Sequence, residues 1–215
     1  MNVDHLVWYN SDPSEGARYF ADRMDRPPCY GGVHPGEGTC NNLVSLGDST
    51  YIEILSRDPK QSETSVAPEL LALTSAGLYH WAASGADLDE LREKVLSAGL
   101  EGCDIVTGGR TLPNGDWLGW KLFGLRNHGF GALVPFFIDW IASVHPASTV
   151  PRGGRLMRLE ASSPRAKDLQ RIYQILDLDI AVVETAAAQF SAIVSSASGE
   201  HALRMIDPIP CGYVI

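Results

Sequence analysis

The sequence predicts an α+β fold in which β-α-β-β-β modules are paired into one curved, mostly antiparallel sheet. Three observations lead there. Short β-rich segments recur in a fixed order around amphipathic stretches that carry helix-start signals. The later strands of each unit return through hairpin-length turns, and short returns favour antiparallel neighbours because a parallel one needs a crossover of a dozen or more residues. A histidine also recurs at the same place in the first strand of two successive units.

The first unit, residues 1–58, opens with Val3-Asp-His-Leu-Val-Trp-Tyr9, too short for a helix and rich in β-formers. Asp12 followed by Pro13 reads as a helix cap with proline at the first helical position, where its missing N–H had no partner to lose. Ala17, Phe20 and Met24 recur at helical spacing and define a buried face, and the helix stops before Pro27-Pro28. Tyr30 to Thr39 is Gly- and Pro-rich, which predicts an irregular or bulged segment. Asn42–Leu46 and Thr50–Leu55 follow as strands joined by Gly47-Asp48-Ser49.

The second unit, residues 75–150, repeats the order. Leu78–Ala83 is a strand, Asp87 with Glu90 has capping-box spacing, and Leu88, Leu91, Val95 and Leu96 form the apolar stripe of a helix ended by Gly99. Extended segments follow around Arg110-Thr111, over Trp117–Phe123 and over Gly131–Trp140, with a Pro113-Asn-Gly115 turn between the first two. The Pro-, Ser- and Gly-rich stretch 144–154 reads as a linker and subdomain boundary. Beyond it an appended third βαβββ-like unit spans 151–215, with a strand over Arg155–Ala161, Ser163 as cap and Pro164 at the first helical position. Ala166, Leu169, Ile172, Tyr173 and Leu176 make its apolar helix face, and its strands fall near 180–184, 190–195 and 202–206.

Size and charge narrow the function. A chain of 215 residues, 45% apolar, can bury a core without disulfide or structural metal. A net charge of −9 with no Lys/Arg-rich stretch argues against nucleic acid or an anionic membrane as partner, which leaves a small molecule. A homodimer is expected as well, since open edges of a curved sheet tend to be covered. Cys29, Cys40, Cys103 and Cys211 are far apart and match no metal-finger spacing, so they read as free thiols in a reducing compartment. With no signal-peptide pattern and no apolar run near the ~18 residues of a membrane span, the expected location is cytoplasmic.

The repeat locates the chemistry. The offset that carries Asp12 onto Asp87 also carries His5 onto His80, and matching Tyr51-Ile-Glu-Ile54 to Phe137-Ile-Asp-Trp140 pairs Glu53 with Asp139. A carboxylate among apolar strand neighbours is costly to bury unpaired, and two imidazoles with two carboxylates around one cation would offset that cost. The four residues His5, Glu53, His80 and Asp139 are therefore the expected ligands of one divalent metal. His34, in a Gly-rich loop, and Arg110, as a bidentate clamp for a carboxylate or phosphate, are expected to touch substrate. Trp117, Trp120 and Trp140 read as core or rim packing, with Trp120 bordering the substrate. His128 and His145 lie in polar loops and are expected to be exposed, His145 near the cleft. No Gly-x-Ser-x-Gly is present, so a nucleophile-elbow hydrolase has no support.

These residues resemble the vicinal oxygen chelate superfamily (glyoxalase I, bleomycin resistance proteins, extradiol dioxygenases, methylmalonyl-CoA epimerase). More narrowly, Asp4-His-Leu-Val7, His34-Pro-Gly-Glu-Gly-Thr39, Leu46-Gly-Asp48, Tyr51-Ile-Glu-Ile54, Pro135–Trp140 and His145-Pro-Ala147 resemble the glyoxalase-like domain family over about residues 3–160. The resemblance implies paired modules curled around a metal ion (Zn, Ni, Fe, Mn or Co) held from the first and last strands of each. It implies a metal-dependent lyase or isomerase that stabilises an enediolate, with Glu53 or Asp139 leaving the metal as general base. The alternatives are an iron(II) dioxygenase using His5, His80 and one carboxylate, and a metal-free protein that binds or sequesters a small molecule. The third unit has Leu156 where the first two have histidine, so it is expected to carry no ligand. Asp139 is a methylene shorter than the glutamate common in glyoxalase I.

Overall fold

Two helices begin where an aspartate side chain satisfies their first N–H groups. In a computed structural model, which describes residues 1–62, 66–112 and 115–206, Asp12 Oδ1 accepts from the N–H of Ser14 and Glu15 at 2.7 and 3.1 Å. This starts α1 (Pro13–Ala21). A single turn, α2 (Pro68–Leu71), precedes the second unit. Asp87 caps α3 (Leu88–Ser97), accepting from Asp89 and Glu90 at 2.9 and 3.0 Å. Leu96, expected in the apolar stripe of α3, is exposed. The last helix, α4 (Ala166–Ile175), starts two residues later than expected. Ser163 Oγ does accept from Arg165 N–H at 3.0 Å, but that bond closes a turn ahead of the helix.

The first unit contributes β1 (Asn2–Tyr9), β2 (Cys29–His34), β3 (Thr39–Ser45) and β4 (Tyr51–Arg57). The second contributes β5 (Gly77–Ser84), β6 (Glu101–Gly102), β7 (Val106–Thr111), β8 (Trp117–Phe123), β9 (Leu125–Arg126) and β10 (Phe136–Asp139). β6 and β9 pair as a separate ribbon, and the others form one sheet in the order β2-β3-β4-β1-β5-β10-β8-β7. β1 and β5 meet antiparallel at its centre. Read outward from that seam, each half runs first strand, last strand, then the two between. Only the β1–β4 and β5–β10 pairs are parallel, so the sheet is mostly antiparallel as expected. Gly131–Leu133, expected as strand, is a 3-10 turn, and β10 starts only at Phe136. Pro113 and Asn114 of the expected turn, and Cys211, lie outside the described residues. Cys29, Cys40 and Cys103 are free thiols.

The third unit has its own sheet of β11 (Arg155–Ser163), β12 (Ala181–Glu184), β13 (Gln189–Ser196) and β14 (Gly199–Arg204), in the order β12-β11-β13-β14. Its element order matches the first two units, but its strand order does not, since its first strand lies inside the sheet between β12 and β13. The segment 144–154 is more than a linker. Its backbone exchanges hydrogen bonds with Ser45 through Pro151 and Gly153 at 2.9 Å each, and it holds a 3-10 turn, Pro146–Ser148.

One face of the large sheet packs on the helices and the third unit. Leu6, Trp8, Ile54, Trp81, Phe123 and Phe137 join Phe20, Val95, Tyr173 and Phe190 in a single apolar core. The helix lies close. A Cβ on Gly16 would stand 2.7 Å from Ile54 Cγ2, so Gly16→Ala is expected to cost about 1–3 kcal/mol through forced displacement of α1 from the sheet. An unchanged urea midpoint would refute that close approach. No helix among the described residues is long and apolar enough to cross a membrane.

Candidate active site

Strand alternation turns Leu6 and Trp8 toward the helices and His5 and Val7 to the opposite, concave face. There a cavity of about 320 Å³ is lined by His5, His34, Asn41, Glu53, His80, Arg110 and Trp120, among the apolar side chains of Val7, Leu43, Leu118, Phe136 and Ile138. Most of the cavity wall is apolar, so charge inside it is weakly screened.

His5 is held by an aspartate next to it in sequence. Regular alternation would send Asp4 and His5 to opposite faces, but β1 bulges at Asp4, where its register against β5 steps from Val3 to His5. Asp4 Oδ1 thereby lies 2.7 Å from His5 Nδ1. Asp4 is fully buried, and its Oδ2 accepts from Trp140 Nε1 at 3.2 Å and His145 Nε2 at 3.0 Å. Burial opposes ionisation of Asp4, but the hydrogen bonds and charges of His145 and His5 outweigh it and hold the carboxyl far below the usual carboxylate range. An ionised Asp4 accepts the proton of Nδ1, so His5 presents the lone pair of Nε2 to the cavity. That nitrogen is 3.7 Å from Glu53 Oε2, and Tyr51 stacks on the ring at 4.7 Å.

His145 is half-buried rather than exposed, and it is part of this arrangement. Its Nδ1 accepts from Ala147 N–H at 3.1 Å, which leaves the proton on Nε2 for Asp4. The sequence offered no local signal for this pair, since the partners are 141 residues apart.

Glu53 sits at the centre of a second chain. Arg110 Nη1 donates to Asn41 Oδ1 at 3.2 Å, and Asn41 Nδ2 donates to Glu53 Oε1 at 2.6 Å. His34 Nε2 is 3.6 Å from the same oxygen, and His34 Nδ1 is bonded to Thr39 Oγ1 at 2.8 Å. Burial pushes the Glu53 carboxyl up, but His34, His5, Asn41 and Arg110 together pull it below its ordinary value. A lowered pKa keeps Glu53 ionised but makes it a weaker base than a carboxylate whose pKa is raised. His34, Arg110 and Trp120 all reach the cavity.

His80 also faces the cavity, helped by an irregularity at Tyr79 in the pairing of β5 with β1. Its Nδ1 is 2.9 Å from Trp81 N and 3.1 Å from Trp81 O. Burial pushes its pKa down to about 4 from an unperturbed 6.5, against a raising contribution from the Trp81 backbone. Between those values the unfolded chain binds more protons than the folded one, so stability falls as pH drops from about 6.5 toward 4. Thermal denaturation of wild type and His80→Gln across this window should differ by on the order of 3 kcal/mol in their pH dependence. Parallel profiles would show that His80 titrates normally.

Asp139 does not join these groups. It is the exposed last residue of β10, and alternation places it with Phe137, on the face opposite Phe136 and Ile138. In register, Glu53 lies opposite Val7, two residues beyond His5, while Phe136 lies opposite Ala82, two residues beyond His80. Phe136 therefore stands where the repeat called for a second carboxylate, with its ring 5.4 Å from that of His5 and 5.3 Å from that of His80. Among the described residues no three His, Cys, Asp or Glu side chains are grouped to hold a metal ion. The residues present do not fit the expected four-ligand centre.

Comparison with known proteins agrees with the architecture. A protein from Staphylococcus aureus, described only as hypothetical, has a crystal structure that superposes with a TM-score of 0.66 at 19% identity, over 95% of this chain and 85% of that one. Looser similarity extends to two methylmalonyl-CoA epimerases. The one from Mycobacterium tuberculosis has a TM-score of 0.46 and 15% identity over 64% of this chain and 85% of its own. A variant from Streptomyces coelicolor in complex with 2-nitronate-propionyl-CoA has a TM-score of 0.48 and 16% identity over 68% and 99%. None of the curated proteins matches the sequence. The glyoxalase-like domain pattern matches residues 3–176, and the chain belongs to that family.

Proposed function

We propose that the protein is an acid–base enzyme, an isomerase or lyase that removes a proton from a carbon next to a carbonyl group in a small substrate. The observation that carries this reading is His5, with Nδ1 fixed by a buried, ionised Asp4 and Nε2 open to an apolar cavity. In the step, the C–H bond breaks, its proton passes to Nε2, and its electron pair moves onto the carbonyl oxygen as an enolate. Asp4 steadies the imidazolium from one side and Glu53 from the other, which is the role a buried carboxylate plays beside a catalytic histidine. Delivery of a proton to the opposite face by a second acid gives an isomerase, with the proton on His5 then passing to solvent, and expelling a group from the adjacent carbon gives a lyase.

The test is deuterium uptake at C3 of pyruvate, 2-ketohexanoate and phenylpyruvate in D2O with EDTA present, followed by NMR. Exchange well above the protein-free rate, and abolished in His5→Ala, is expected. A metal-dependent form of the reaction is the second reading, and membership of the glyoxalase-like family is what favours it. Exchange lost in EDTA and restored by a divalent ion would select it, and oxygen uptake in place of exchange would favour the dioxygenase. Binding with no turnover of any kind would leave a sequestering protein.

A further inference from the structure

Among the described residues, Arg110 is the one Lys or Arg side chain lining either of two neighbouring cavities. It is only 7% exposed. Among the described residues its guanidinium makes a single hydrogen bond, to Asn41 Oδ1, and its buried Nε has no partner. A guanidinium largely withdrawn from bulk water, with one hydrogen bond to protein, keeps donors free for an anion in the cavity. The backbone is shaped to admit it. Gly32 of β2 has φ +139°, and a Cβ there would stand 3.1 Å from Nη1 and 3.3 Å from Cζ, so the guanidinium lies against bare main chain.

The second cavity, of about 220 Å³, shares Leu43, Arg110, Leu118 and Pro146 with the first. Its remaining wall includes Leu112, Val144 and Val150. Val144 is 67% exposed and Tyr30, also on this wall, 55%, so apolar surface is left in water beside a buried cation.

We propose that Arg110 binds one carboxylate at the junction of the two cavities. The substrate is then a 2-oxo acid or similar carboxylic acid whose reacting carbon faces His5 and whose apolar arm, the size of a short alkyl chain or phenyl ring, occupies the second cavity. A single guanidinium matches a monoanion. A phosphate dianion would meet a single guanidinium, with the negative charge of Glu53 close enough to be felt across the same space. The substrate class rests on the proton-abstraction reading of the same site, whereas the carboxylate and arm contacts are measurable without turnover.

The experiment is calorimetric titration of the full chain with pyruvate, 2-ketohexanoate, phenylpyruvate, the methyl ester of each, and inorganic phosphate. Each acid should bind at least tenfold tighter than its ester, and the longer acids at least tenfold tighter than pyruvate. Phosphate should be weaker than any of the three acids. Arg110→Gln should erase the preference for acid over ester. Leu112→Trp, which fills the second cavity alone, should erase the dependence on arm length and leave pyruvate binding unchanged. The acid–ester and chain-length comparisons on the wild type decide the matter even where a variant does not fold. Equal affinity for acids and esters, no gain with arm length, or phosphate as the tightest anion would each overturn the inference. Arg110-dependent, arm-dependent binding without hydrogen exchange would support this site and sink the proton-abstraction reading. Exchange that is indifferent to charge and arm would do the reverse.

Discussion

His5→Ala is expected to lower the rate of deuterium exchange into an enolisable 2-oxo acid by about 10²–10⁴-fold, the usual contribution of a positioned general base. The expectation follows from orientation. Asp4 Oδ1 at 2.7 Å from Nδ1 selects the tautomer whose Nε2 is free to take a proton, and the cavity wall beyond it is largely apolar. Asp4→Asn tests the same point without removing the imidazole. The amide can donate to Nδ1 and hold the proton on Nε2, so the loss should be of the same order as for His5→Ala. His128→Ala, outside the cavity, should leave the rate unchanged. Exchange by His5→Ala within threefold of wild type, with the fold intact by circular dichroism, would eliminate His5 as the base.

The largest effect on stability is expected from Asp4→Ala, about 3–5 kcal/mol. Alanine leaves His5 Nδ1, Trp140 Nε1 and His145 Nε2 without the carboxylate that accepts from all three, and the first of these is buried. The substitution should also free the 140–150 segment, which His145 ties to β1, so hydrogen exchange there should rise ahead of global unfolding. Since the folded-state pKa of Asp4 is depressed, its contribution is complete above the unfolded value of 3.8 and is lost as pH falls below it. The wild-type advantage over Asp4→Ala should therefore shrink on acidification from pH 4 downward. Urea midpoints of the two proteins within the equivalent of 1 kcal/mol would mean that the three donors find other acceptors. Asp4→Ala combined with His145→Ala should cost less than the two single changes added together, because both remove one shared contact.

The parts of this protein that depend on neighbours in sequence were legible. Asp12 and Asp87 start helices because a short acceptor side chain meets free N–H groups two and three residues ahead. The apolar face of α4 reads directly from its spacing, and Leu169, Ile172, Tyr173 and Leu176 are buried as that spacing predicts. The histidines of β1 and β5 could be picked out because each unit repeats its order, and both reach the cavity.

What depends on pairing between distant strands was decided only by the tertiary structure. Matching Asp139 to Glu53 aligned similar residues, but the register of β10 on β5 puts Phe136 in that place, and an odd displacement in a strand moves a side chain to the opposite face. The bulge that brings Asp4 beside His5 arises where β1 runs against β5, and no local pattern in Val3–Tyr9 announces it. The 144–154 segment looked like a linker from its composition, yet its backbone bonds to Ser45 and its histidine reaches Asp4. Caps, turns and amphipathic faces are set by interactions within a few residues, which a sequence displays in order. Register, bulges and the closing of a cavity are set by which segments meet in space, and the free energy of that meeting is shared among residues far apart in the chain.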